Sequence, residues 1–236
     1  MKVWKLIPLY VIVVVGALAL VFGGSEAVTV MVSRTPIAGR TCVVIDAGHG
    51  GIDGGATSCT GVLESHINLE IALRLNDLMR FLGYDTMMIR TSDTSIYTEG
   101  NTIASQKVSD LKNRVKLVNQ QEDALLVSIH QNTFSDSQYS GAQVFYAKDE
   151  ASRTLAQKMQ SAFIATINPS SKRKCKASDG IYLMQNINKP GILIECGFLT
   201  NPQEEALLRS PTHQQKIACV IATCLSNHIN TPKASG

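Results

Sequence analysis

The chain lacks several signatures that would place it in common functional classes. No G-K-[ST] and no G-x-G-x-x-G opens a helix, so a nucleotide-cradling loop is not expected. No H-E-x-x-H occurs, which removes the common zinc-peptidase helix as a source of metal ligands. Internal repeats and low-complexity tracts are absent. Charge of one sign is scarce too: 22 Lys plus Arg face 19 Asp plus Glu, a formal excess of three. Nucleic acid is not expected as a partner, because a phosphate-tracking protein carries a concentrated basic face. The densest basic cluster, Lys172, Arg173, Lys174 and Lys176, reads as a solvated loop rather than a patch for an anionic polymer. There is no C-x-x-C pair among the six cysteines at 42, 59, 175, 196, 219 and 224. An even count in an exported chain invites disulfides, yet most of these cysteines lie in apolar runs. Cys42, Cys196 and Cys219 read as small core thiols, since a domain of this size needs no staples.

What is present is a leader and one domain's worth of chain. Lys2 and Lys5 precede an uncharged run from Leu6 to Phe22, the pattern of a signal peptide or a membrane anchor over 1–24. Either one places the folded part beyond the cytoplasmic membrane, secreted or held to it by the uncleaved segment. A linker is expected over 25–40, a folded domain over 41–230 and a tail over 231–236.

Within the domain, strand-like and helix-like patterns alternate. Cys42–Ile45, Ala124–Ile129 and Ile192–Ile194 are apolar runs of buried strands; Tyr84–Arg90 and Ala142–Tyr146 also read as strands. Helices are expected over Ile67–Leu82 (stopping at Gly83), Val108–Val118, Glu150–Ile167, Pro202–Leu208 and Thr212–Ile229. In the second of these, Val108, Leu111, Val115 and Val118 share one side. The alternation predicts a single α/β domain, a mostly parallel sheet with helices on both faces. In such sheets chemistry gathers beyond the carboxyl ends of the strands.

Three apolar strands stop near an ionisable residue: His49, His130 and Glu195. His49 sits among Gly48, Gly50, Gly51, Gly54 and Gly55, where the backbone can turn sharply and approach a ligand. Of the other histidines, His66 begins a helix and is expected to be exposed, and His213 and His228 read as surface or cap positions of the last helix. Glu64 stands at a helix start, where it could simply complement the helix dipole. Set beside His49 and His130, it completes two imidazoles and one carboxylate, the ligand set of many hydrolytic zinc sites with a fourth position left for water. Glu195 is then placed to act as acid–base; an ion-paired strand terminus is its plainer alternative.

At these residues the sequence resembles the zinc-dependent N-acetylmuramoyl-L-alanine amidase family. The matching stretches are Val43–Gly51, Asp53–Ala56, Gly61–Glu64, Val127–Asn132 and Ile194–Asn201, five ordered motifs spread over the folded part. The resemblance implies that His49, Glu64 and His130 bind Zn2+, that Glu195 is the catalytic carboxylate, and that the sheet has about six strands. It implies peptidoglycan as substrate, with an accessory protein as a possible partner. Asp110–Val115 and Ile181–Leu183 are similar to the spore-cortex, germination-specific amidases of endospore-forming bacteria, which implies cortex cleavage ahead of muramic δ-lactam formation. An inactive wall-binding protein of the same fold and a zinc peptidase acting on the stem peptide are the alternatives. Three residues depart from the family pattern or crowd the site. Gln131 replaces a small residue and is expected to contact substrate or narrow the site, Cys59 places a thiolate where it can compete for metal, and Cys196 adjoins the catalytic position.

Overall fold

The computed structural model describes residues 41–231. The expected leader or anchor, the linker and residues 232–236 of the tail lie outside the described residues. Six strands form one sheet: β1 (Cys42–Ala47), β2 (Thr86–Met88), β3 (Ala124–Asn132), β4 (Gln143–Tyr146), β5 (Lys176–Ala177) and β6 (Gly191–Phe198). The helices are α1 (Glu64–Phe81), α2 (Ile103–Asn119), α3 (Glu150–Thr166), α4 (Tyr182–Asn186), α5 (Pro202–Leu208) and α6 (Pro211–Asn230). None of the described helices is long and apolar enough to cross a membrane.

Strand order is β2-β1-β3-β6-β4-β5. β1, β2, β3 and β6 run parallel, while β4 runs antiparallel to β6. The central strands are buried on both faces, which is why their sequences read as unbroken apolar runs rather than as alternation. Alternate residues still go to opposite sides. Val43, Ile45, Leu125, Val127, Ile192 and Ile194 pack under α1, α3 and α6. Val44, Leu126 and Leu193 pack under α2 and α4 on the other side.

Local chemistry sets the helix boundaries. α2 starts in a capping box in which Thr102 and Ser105 satisfy each other's backbone N–H. Asp149 caps α3, and Asn201 caps α5 with Pro202 at the first helical position. α1 has no side-chain cap; its first residue, Glu64, is turned inward instead.

Several expectations need correction. α1 begins three residues before Ile67, so Glu64 belongs to the helix. The second strand shrinks to Thr86–Met88 at the sheet's edge, where pairing on one side only supports a short strand. α2 begins at Ile103, well before Val108, and Val108 is exposed. β6 continues through Glu195 to Phe198, and β3 through His130 to Asn132, so both residues are paired within strands rather than past their ends. β5 and α4 carry too few residues for periodicity to announce them. All six cysteines are free thiols; Cys196 is buried and Cys42 half-buried, but Cys219 is exposed and it is Cys224 that lies in the core.

Candidate metal centre

The site is assembled at the carboxyl end of the parallel strands. His49 follows β1 in a turn with φ 61, a left-handed conformation that few non-glycine residues adopt. Glu64 enters from the first turn of α1. His130 and Glu195 are direct neighbours across the β3–β6 pair. The Glu64 carboxylate lies between the two imidazoles, with Oε1 3.0 Å from His130 Nδ1 and Oε2 3.3 Å from His49 Nε2. The rings stand edge to face, 5.0 Å between centroids. One nitrogen or oxygen from each of His49, Glu64 and His130 falls within a 4.8 Å cluster, the only such group of three among the described residues.

Why the sequence folds this way locally can be read from close approaches. A side chain at Gly48 would place its Cβ 2.2 Å from the His130 ring, so only glycine lets that ring lie over β1. Two buried arginines hold the His49 turn from beneath. Arg90 donates to the carbonyls of Ala47 (2.8 Å), Gly48 (2.9 Å) and Ser65 (2.8 Å). Arg114 donates to Ala47 O (3.0 Å) and His49 O (2.7 Å), and pairs with Asp46 (2.5 Å) and Asp110 (2.6 Å). Ser128 donates to the other Asp46 oxygen at 2.6 Å. Gly48 and His49 lie in the turn, outside any strand or helix, and the guanidinium forks supply hydrogen bonds to their carbonyls.

A further set of groups orients the side chains of the cluster. Asp53 accepts from His49 Nδ1 at 2.9 Å and is itself met by Lys107 Nζ at 2.7 Å. Asn68 donates to Glu64 Oε1 at 3.2 Å and to Gly48 O at 3.2 Å. Gln131 is buried and donates through its side chain to Asn68 at 3.1 Å, while its backbone N–H reaches Glu64 Oε1. Gln131 is therefore a brace behind Glu64; the expectation that it faces substrate is overturned by its burial. Cys59 is exposed, outside the ligand cluster, with its N–H on Leu199 O. His66 is exposed and paired with Asp93.

The electrostatics divide the carboxylates into two kinds. Burial alone would raise Glu64, but the two imidazoles outweigh it and hold the carboxyl far below its ordinary range. Asp53 is likewise held low, by His49 and Lys107 against its burial. Burial would lower His49, yet its hydrogen bonds to Asp53 and Glu64 push it up to about 9. Glu195 goes the other way: burial pushes it up to about 7, and its Oε2 is sealed from solvent with no hydrogen-bond partner. A carboxylate close to neutral pKa, beside a ligand cluster it does not join, is what a proton-transfer group requires.

Arg90, Arg114, Asn68 and Asp53 carry no role in the sequence reading. One signal was available for Arg114, which sits on the apolar stripe of its helix between Leu111 and Val118, where a charge needs a buried partner.

Comparison with known proteins agrees with this geometry. The family model described as N-acetylmuramoyl-L-alanine amidase matches residues 43–227. The chain is 42% identical over 188 residues to the germination-specific N-acetylmuramoyl-L-alanine amidase of Bacillus subtilis, covering 79% of this chain and 78% of that one. Among solved structures it is similar to the CwlD amidase of Clostridioides difficile in complex with the GerS lipoprotein, with a TM-score of 0.77, 38% identity, and 80% and 98% of the two chains covered. It is also similar to an N-acetylmuramoyl-L-alanine amidase of Clostridium difficile 630, with a TM-score of 0.71, 30% identity, and 82% and 99% covered.

Proposed function

Since the chain belongs to the N-acetylmuramoyl-L-alanine amidase family, we propose that its hydrolase activity on cell wall is zinc-dependent, with His49, Glu64 and His130 as the metal ligands and Glu195 as the acid–base. The observation that carries this reading is the pairing of an imidazole–carboxylate–imidazole cluster with an unpartnered, buried Glu195 oxygen beside it. The donor set fits zinc: two borderline nitrogens and one oxygen suit it, and three protein ligands would leave the fourth position of a tetrahedral zinc for water. Bound there, zinc would lower the pKa of a water and polarise the amide carbonyl.

The residues of the chain supply the rest. Asp53 fixes the His49 tautomer by accepting from Nδ1, which leaves Nε2 free to face the cluster. Asn68 and the Gln131 N–H hold Glu64 in one orientation. Glu195 accepts the proton of the attacking water and returns it to the departing alanine nitrogen, so the bond between lactyl carbonyl and L-alanine breaks without leaving charge on the amine.

The substrate is proposed to be spore-cortex peptidoglycan, cut ahead of muramic δ-lactam formation, on the likeness to the germination-specific enzyme. An exported protein with an accessory partner is part of the same proposal, supported by the lipoprotein complex of the C. difficile relative. The test is mass analysis of products from cortex and vegetative wall, with wild type and Glu195→Ala side by side. Free stem peptide with new N-terminal alanine from cortex, absent with the variant, is expected. Peptide fragments cut within the stem would instead mark a peptidase, and equal release by both proteins would remove Glu195 from the mechanism.

A further inference from the structure

Residues 133–142 connect β3 to β4. Because β4 runs against β6 with Gln143 opposite Glu195, this loop lies at the same end of the sheet as the ligand cluster. Beside it opens a groove of about 400 Å³, lined by Tyr139, Ser140, Gly141, Asn168, Lys172 and Arg173. Arg173 is held in place from two sides. Its Nε donates to Ser140 O at 3.0 Å, and its guanidinium lies 4.9 Å over the Phe198 ring. Its two terminal nitrogens have no partner, and no carboxylate pairs with Lys172 or Lys174, both exposed, among the described residues. Glu204, the acid bordering the groove, is already engaged by the N–H of Gly141 (2.9 Å), the N–H of Phe198 (2.9 Å) and the Asn168 amide (3.2 Å).

A stacked guanidinium with a free fork is a preorganised carboxylate binder. We propose that this groove is the subsite for the free carboxylates of the stem peptide, read chiefly by Arg173; this rests on the amidase reading above. Distance supports it. Phe198 stands three residues past Glu195 on β6 but opposite Asn132, only two past His130, so a bulge shortens the span to roughly 7–10 Å. An extended peptide covers that span in about three residues. With the first alanine at Glu195, the second or third stem residue reaches Arg173. Charge favours peptide over glycan: N-acetylated sugars offer hydroxyls and amides, whereas the groove's unused groups are cations. The basic cluster that reads in the sequence as a solvated loop thereby acquires a ligand.

The test uses the full-length zinc-loaded protein, a muramoyl-peptide with free carboxylates, and the same compound with those carboxylates amidated. Arg173→Gln is expected to raise KM at least tenfold on the first with kcat within twofold, and to leave the second unchanged, because an anchor remote from the reacting bond contributes equally to substrate and transition state. Lys172→Gln with Lys174→Gln, a surface change with no folding cost, should raise KM severalfold in the same selective way. Binding of the released stem peptide, measured by calorimetry, should weaken at least tenfold on amidation and as the salt concentration rises. Equal losses on both substrates, or peptide affinity indifferent to amidation, would overturn the subsite. Selective peptide binding by a wild type that releases no alanine-terminated product would leave the subsite standing and sink the amidase reading instead.

Discussion

Replacing Glu195 by glutamine should make the metal-free protein more stable at alkaline pH while abolishing its chemistry. Glu195 is buried with one oxygen unpartnered, and burial pushes its carboxyl from 4.5 to about 7. A carboxyl whose folded pKa exceeds its unfolded value binds a proton on folding. Stability is therefore lost as pH rises from about 4.5 through 7, and the full penalty holds above that. A shift of this size corresponds to about 3 kcal/mol. Glutamine has the same shape and no charge, so the penalty vanishes in the variant. Any cost of the buried amide itself is independent of pH and cancels when the variant-minus-wild-type difference is compared at two pH values. Urea unfolding with chelator present should show that difference moving by about 2–3 kcal/mol in favour of glutamine between pH 5 and pH 8.5. A difference that is the same at both values would refute the claim that Glu195 is held charged at an energetic cost. Peptide release by the zinc-loaded variant should fall by about 10²–10⁴, the usual contribution of a general base.

Zinc binding should release protons, because His49 is pushed up to about 9 in the metal-free site and a ligand imidazole must be neutral. The stability His49 adds to the metal-free protein is present below its ordinary value and fades as pH rises through about 9, so zinc affinity should climb close to tenfold per pH unit from about 6.5 to 8.5, read by chelator competition; a flat profile would contradict this. Asp53→Asn should weaken zinc binding by about 10–100-fold with the fold intact by circular dichroism, and an unchanged affinity would show that Asp53 does not set the His49 ring. Gly55→Ala should abolish zinc binding, since its Cβ would stand 2.6 Å from Glu64 Oε2 and 2.7 Å from His49 Cδ2 at φ +69; stoichiometric zinc in the purified variant would contradict that. Arg114→Met should cost about 3–5 kcal/mol in urea unfolding by leaving Asp46 buried and unpaired, and a loss under 1 kcal/mol would mean the turn holds itself.

Much of this was legible in the sequence. Buried parallel strands advertise themselves as apolar runs, and the helices with long stripes, α1, α3 and α6, stood out by periodicity. His49, Glu64, His130 and Glu195 lie together because His130 and Glu195 are neighbours across β3 and β6, while the turn after β1 and the first turn of α1 bring His49 and Glu64 to the same end of the sheet. What stayed hidden was whatever depends on three-dimensional partnership. On charge alone Glu64 reads as a dipole-complementing residue, and only its pairing with His49 and His130 in the sequence pattern pointed to a ligand; its contact with both imidazoles appears in the structure. Gln131 looked like a substrate contact because its position beside His130 is known from sequence, while the face it points to depends on the local pleat and on Asn68 waiting beneath. The Arg90 and Arg114 clamps reach the carbonyls of Gly48 and His49, in a turn whose shape no propensity scale describes. β6 outran its apolar run because its strand pairing continues past it, with Glu195 opposite both His130 and Gln143 and Phe198 opposite Asn132.

The reversed direction of β4 has a consequence for how such a protein can diversify. Were β4 parallel to β6, the segment leaving β3 would have to cross to the far end of the sheet before re-entering it. Instead residues 133–142 leave His130's strand and re-enter the sheet opposite Glu195. A single short connection thus borders the cluster while none of its residues belongs to it. Insertions or deletions there can be accepted at low thermodynamic cost. Changes of length or sequence in that one surface segment are expected to alter what borders the cluster while leaving His49, Glu64, His130 and Glu195 in place.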